Sequence, residues 1–135
     1  MVDAKIKMEW INDCQTIMFV EYGVGYTLQD YYDMLVEVLK MIEGNPAKVI
    51  YINYYPHGSR VPEGDGVPAL GRMTKQFNID AMIVYHDNNI ETEMYHRALA
   101  KSFGFEEGKD LWFVCSKEEA LEVAERVDKQ LNASH

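Results

Sequence analysis

Polar and apolar residues alternate near the start of the chain. In KIKMEW (5–10) isoleucine, methionine and tryptophan take every second place, as in a strand with one buried face. INDCQ reads as a turn and TIMFVEY (16–22) as a second, more apolar strand, so the pair predicts a hairpin. After GVGY, Thr27-Leu28-Gln29-Asp30 has the spacing of a capping box. Leu28, Tyr31, Tyr32, Leu35, Val38, Leu39 and Ile42 then recur at helical intervals and mark one inward face. Glu43-Gly44-Asn45-Pro46 stops that helix, glycine preceding proline.

KVIYINY (48–54) is nearly all apolar or aromatic, the pattern of a strand covered on both faces. The stretch YYPHGSRVPEGDGVPALGRM (54–73) follows, rich in proline and glycine, and Pro68 suits the first turn of a short helix from about Val67 to Phe77. DAMIVY (80–85) is another buried strand. Asn88-Asn89-Ile90-Glu91 offers a cap for a third helix, whose apolar stripe is Ile90, Met94, Tyr95, Ala98 and Leu99, with His96 expected on the solvent edge. Gly104 closes it. DLWFVC (110–115) is the last strand. Ser116-Lys117-Glu118-Glu119 opens a fourth helix with Ala120, Leu121, Ala124, Val127 and Leu131 inward, and LNASH reads as a frayed end.

The order is β-β-α-β-α-β-α-β-α. Strands alternating with helices predict right-handed crossovers onto a mostly parallel five-stranded α/β sheet, with the first strand an antiparallel edge. No repeat or linker divides residues 1–135, which read as a single domain.

This order resembles the SpoIIAA-like (STAS) fold of anti-sigma-factor antagonists. GYTLQDYYDMLVEVLK is similar to the family's passage from second strand to first helix, and DLWFVCSKEEALEVAERV to its final strand and helix. In the antagonist branch a loop after the third strand carries an Asp-Ser-Ala-Gly-like motif whose serine is phosphorylated. The matching place is Asp65-Gly66-Val67-Pro68, where Gly66 stands in the serine's position and Pro68 in the glycine's. The resemblance implies a small stand-alone member without the phosphorylation switch.

Composition narrows the function classes. With 47% apolar and 26% charged residues the chain is ordinary globular protein, and its formal net charge of -9 disfavours nucleic acid and anionic membranes as partners. The longest apolar runs are far too short to span a membrane, and the opening residues lack a signal core. Cys14 and Cys115 have no metal or redox spacing, which predicts a reduced, cytoplasmic protein.

A parallel sheet gathers the carboxyl ends of its strands on one edge, where ligands usually bind. EYGVGY, YYPHGSRVPEGDG, YHDNN and CSK reach that edge and supply Tyr54, His57, Ser59, Arg60, Asp65, His86, Asp87, Asn89, Cys115 and Lys117. Arg60 with free helix amides suits a small anion, although no GxGxxG or GxxxxGK[ST] loop indicates a nucleotide. His57, His86 and Asp87 have the types of a two-histidine, one-carboxylate metal site but no supporting spacing, and neither metal nor cofactor is expected. Cys115 before a helix, with His86 on the adjacent strand, has the types of a nucleophile and base, against the plainer reading of a small buried cysteine closing a strand. Nine tyrosines are an excess; Tyr22, Tyr26, Tyr54 and Tyr55 fall at element ends, where the ring packs and the hydroxyl stays wet.

The expected role is a non-catalytic regulatory or binding module that meets a protein or a small anionic ligand at the carboxyl edge. The alternative is a small enzyme using Cys115, His86 or His57. Lys5 and Lys7 guard the edge strand, so a homodimer is expected through a helical face or the loop edge, with exposed Tyr26, Tyr54 or Tyr55 as anchors.

Overall fold

The computed structural model describes residues 5–45, 47–56, 79–86 and 90–132. Its elements are β1 (Ile6–Trp10), β2 (Ile17–Tyr22), α1 (Leu28–Ile42), β3 (Val49–Tyr55), β4 (Ile79–His86), α2 (Ile90–Phe103), β5 (Leu111–Val114) and α3 (Lys117–Asn132). The five strands form one sheet in chain order. β1 and β2 pair antiparallel; β2 to β5 are parallel. The helix expected at 67–77 lies outside the described residues. Among those residues no helix is long and apolar enough to cross a membrane.

Local chemistry explains the boundaries. Asn12 builds the β1–β2 turn: its Oδ1 accepts the N–H groups of Thr16 and Ile17, each at 3.1 Å, and its Nδ2 donates to Thr16 Oγ1 at 2.6 Å. At the far end of the hairpin the Gly23 N–H donates to Lys5 O at 2.6 Å. A Cβ on residue 23 would lie 2.6 Å from that oxygen, so only glycine permits the approach. The Thr27–Asp30 capping box forms in both directions, at 3.1 and 2.9 Å. Gly44, with φ of 77°, takes the left-handed position that ends α1. The Ser116 hydroxyl accepts the Glu119 N–H at 3.1 Å and caps α3.

The sheet separates two cores. On one face Tyr31, Met34, Leu35, Val38 and Ile42 of α1 pack on Met18, Val20, Tyr22, Val49, Tyr51, Tyr55, Met82 and Val84. On the other, Ala120, Val123, Ala124 and Val127 of α3 cover Ile17, Phe19, Ile50, Ile52, Ala81, Ile83 and Val114. The period-2 alternation of strand side chains divides each central strand between the cores.

Three expectations at the helices are corrected. The chain end was expected to fray from Leu131, yet Asn132 continues α3 and locks onto the start of β3. Its Oδ1 accepts the Lys48 N–H at 3.0 Å and its Nδ2 donates to Lys48 O at 3.1 Å. In α2 three residues of the expected inward stripe face out: Ile90 is 67% and Met94 66% exposed, and Ala98 is exposed as well, while Tyr95 is half-buried. His96, expected at the solvent edge, is 3% exposed. The reason lies in the strands beneath, which present polar groups at this end, so α2 turns Glu93, His96 and Arg97 to them instead.

Candidate functional site

Along the α1 face each central strand changes character toward its carboxyl end. Met18 and Val20 give way to Tyr22 on β2, Val49 and Tyr51 to Asn53 and Tyr55 on β3, and Met82 and Val84 to His86 on β4. Tyr55 and His86 are register partners. The Tyr22 and Tyr55 rings stack with centroids 4.4 Å apart and planes 3° from parallel. A polar row thus crosses the buried face where the strands end.

Tyr22 is its hub. Its hydroxyl donates to Asn53 Oδ1 at 2.7 Å, inside the core. Tyr26, from the β2–α1 connection, and Tyr31, on the first turn of α1, bring their rings to 5.2 and 6.1 Å from the Tyr22 ring. Tyr22, Tyr31, Tyr55 and Asn53 are fully buried and Tyr26 nearly so. Yet no hydrogen-bond partner for Tyr26 Oη, Tyr31 Oη or Asn53 Nδ2 is found among the described residues. An unmet buried polar group costs about 1–3 kcal/mol, and three around one ring are a concentration that stability alone does not explain. Burial holds the phenols of Tyr22, Tyr26, Tyr31 and Tyr55 well above the usual value of 10.0, with the neighbouring phenols adding to the effect. At neutral pH they are hydroxyl donors, not phenolates.

α2 closes the other side. His96 Nε2 lies 3.3 Å from the Tyr55 hydroxyl. His86 Nε2 meets Glu93 Oε2 at 3.1 Å, and the other oxygen of Glu93 accepts from Arg97 at 2.6 Å. Arg97 also pairs with Glu107 and lies over the Phe113 ring, 4.4 Å from its centroid. The hydrogen bond from Arg97, then its charge and that of His86, hold the Glu93 carboxyl below the ordinary 4.5 against the opposing effect of burial. Beside this chain, outside α2, Met94, Arg97, Ala98, Phe105, Leu111 and Phe113 line an open groove of about 510 Å³, together with Lys101 and Glu107.

The residues singled out from the sequence are dispersed. His86 belongs to the buried polar row. Tyr54 lies on the opposite, α3 face, half-buried and stacked on Tyr85 at 4.3 Å. Cys115 is exposed, which corrects the reading of a buried cysteine closing the strand, and the ion-pair partner of His86 is Glu93. The Lys117 ammonium sits over the Phe19 ring at 5.2 Å, on the α3 face. His57, Ser59, Arg60, Asp65, Asp87 and Asn89 lie outside the described residues. Among those described, no group of three His, Cys, Asp or Glu is placed to hold a metal ion.

Sequence reasoning missed Asn53, Glu93, His96, Arg97 and the unmet hydroxyls of Tyr26 and Tyr31. One signal was available: Asn53 is the lone amide in the apolar run KVIYINY, and a polar residue in a strand covered on both faces requires a partner or a use. Tyr22, Tyr26 and Tyr55, expected to keep wet hydroxyls, are buried, because α1 and α2 fold over the strand ends.

These features define an α/β protein with a buried polar cluster at the carboxyl edge of its sheet. The chain matches no protein-family model, no curated protein and no solved structure.

Proposed function

We propose that the chain is a non-catalytic, SpoIIAA-like binding module that takes a small ligand at the carboxyl edge of its sheet, between α1 and α2. Sequential strand order with an antiparallel first pair supports the SpoIIAA-like assignment. The observation that carries the binding reading is the set of three buried polar atoms near Tyr22 that have no partner among the described residues. A fold tolerates such groups where a ligand completes them. Two free, exposed cysteines fit a reducing, cytoplasmic setting.

The test separates use from support. Tyr31→Phe deletes a hydroxyl that has no partner among the described residues, so the ligand-free variant should be as stable as the parent or more stable, by up to about 1–2 kcal/mol in urea titration. The same variant should lose the chemical-shift changes that a panel of small oxygen-containing compounds induces at the Asn53 side-chain amide. A Tyr31→Phe protein that is clearly destabilised without ligand would show the hydroxyl to be structural and would defeat the reading.

A second contact surface rests on a different observation. Ile90, Met94 and Ala98 form an exposed apolar stripe on α2, beside the groove, and a second copy of this chain is its proposed occupant. Exposed Lys5, just before β1, and Lys7 within it oppose growth through that edge. Tyr26 and Tyr55, the anchors expected from the sequence, are buried and unavailable. Sedimentation at micromolar protein should give a dimer that Met94→Asp weakens at least tenfold and Lys7→Glu leaves intact. A monomer throughout, or a dimer indifferent to Met94→Asp, removes this surface.

A further inference from the structure

The three unmet groups differ from a general polar patch in one respect. With Asn53 Oδ1 taken by the Tyr22 hydroxyl, Nδ2 has only N–H to offer. Tyr26 and Tyr31 can each donate as well, and burial keeps their protons in place. An acceptor oxygen suits each of the three. A ligand N–H would satisfy the phenols and leave Asn53 unmet.

Charge decides what kind of oxygen. Among the described residues on this side, Arg97 already holds both Glu93 and Glu107, and Glu93 also meets His86. Two carboxylates therefore stand beside one guanidinium and two imidazoles, of which His86 meets Glu93 and His96 meets the Tyr55 hydroxyl, within a chain whose formal net charge is -9. A carboxylate or phosphate buried here would lose its hydration without gaining an unpaired cation among the described residues, a loss of several kcal/mol. A carbonyl oxygen gives up far less on entering and receives the same hydrogen bonds. The phenol rings of Tyr22, Tyr26 and Tyr31 offer the apolar wall that such a group requires.

We infer that the cluster formed by Tyr26, Tyr31 and Asn53 around Tyr22 is a binding site for a neutral carbonyl compound (a ketone or amide), which enters oxygen first. This rests on the binding reading above and narrows its small ligand to an uncharged acceptor, in place of the anion expected from the sequence. The chemistry is recognition alone; no bond is made or broken.

Pairs of probes of equal shape and different charge test it: acetamide against acetate, and acetophenone against benzoate. Each is titrated at neutral pH into the full-length, isotope-labelled protein, and the Asn53 side-chain amide and the tyrosine ring signals are followed. The neutral member of each pair should bind at least tenfold more tightly than its anion, and Tyr31→Phe or Tyr26→Phe should weaken it by about tenfold each. Tighter binding of acetate or benzoate at the same signals would overturn the inference and leave the binding reading standing. Neutral binding that neither phenylalanine variant weakens would overturn it too. If all four probes leave these signals unmoved, the inference and the binding reading fall together.

Discussion

Raising the pH above 10 should unfold this protein in one cooperative step, with its buried phenols ionising together as it opens. Tyr22, Tyr31, Tyr51 and Tyr55 are fully buried and Tyr26 nearly so. Burial is the largest cause in each case and lifts all five above the ordinary 10.0. The sign follows from linkage. A group whose folded value is raised keeps its proton in the native state while the unfolded chain loses it, so its contribution is intact below pH 10 and drains away above it. Each such phenol costs about 1.4 kcal/mol of stability per pH unit in that range. Five acting together would exhaust a typical stability of about 5–15 kcal/mol within about one to three units. Phenolate absorbance and far-ultraviolet circular dichroism, recorded on the same samples, should therefore change at the same pH. Smooth titration of all nine tyrosines near their ordinary value, with helix content unchanged, would mean that solvent reaches the cluster.

The same five tyrosines show what a sequence reveals and what it conceals. Strand alternation, capping signals and glycine stops are local, and each of KIKMEW, TIMFVEY, KVIYINY, DAMIVY and DLWFVC forms a strand within a residue or two of its expected ends. The antiparallel hairpin and the parallel remainder follow from connection lengths, which are also written in the chain. The exposure of a tyrosine at the end of a strand is not local. Whether the hydroxyls of Tyr26 and Tyr55 are wet depends on where α1 and α2 come to rest, and both helices cover the strand ends. Helical periodicity misplaced three residues of α2 for a related reason. Ile90, Met94 and Ala98 recur at the spacing of an inward face, but burial goes to the residues that match the surface below. Below α2 stand Tyr55 and His86, and His96 and Glu93 match them. Topology expected His86 at the carboxyl end of its strand, and it lies there. The loop residues chosen with it were selected for chemical type, whereas the cluster consists mainly of side chains that periodicity assigns to the core.

Replacing Tyr22 by phenylalanine should cost about 1–3 kcal/mol, although the substitution removes one oxygen atom and preserves the ring. The lost group is the hydroxyl that donates to Asn53 Oδ1 at 2.7 Å, and its removal leaves both polar ends of a fully buried amide unmet. Asn53→Leu should cost a similar amount, since it strands the Tyr22 hydroxyl, partly offset by deletion of an amide nitrogen that already lacked a partner. The double variant Tyr22→Phe/Asn53→Leu removes both halves and should recover most of the loss, reaching or exceeding the parent's stability. The stacking of residue 22 on Tyr55 survives in all three variants that keep or mimic the ring. Urea unfolding of the four proteins closes the cycle. Strong non-additivity is expected, with a coupling energy of about 1–3 kcal/mol. Simple addition of the two losses would show that the side chains act independently, and the hydrogen bond would then not organise the site. Recovery in the double variant carries the larger consequence: it would mean that an apolar pair fills this position at no cost to the fold. The tyrosine and asparagine are then kept for what they present, and the stable double variant should no longer bind acetamide.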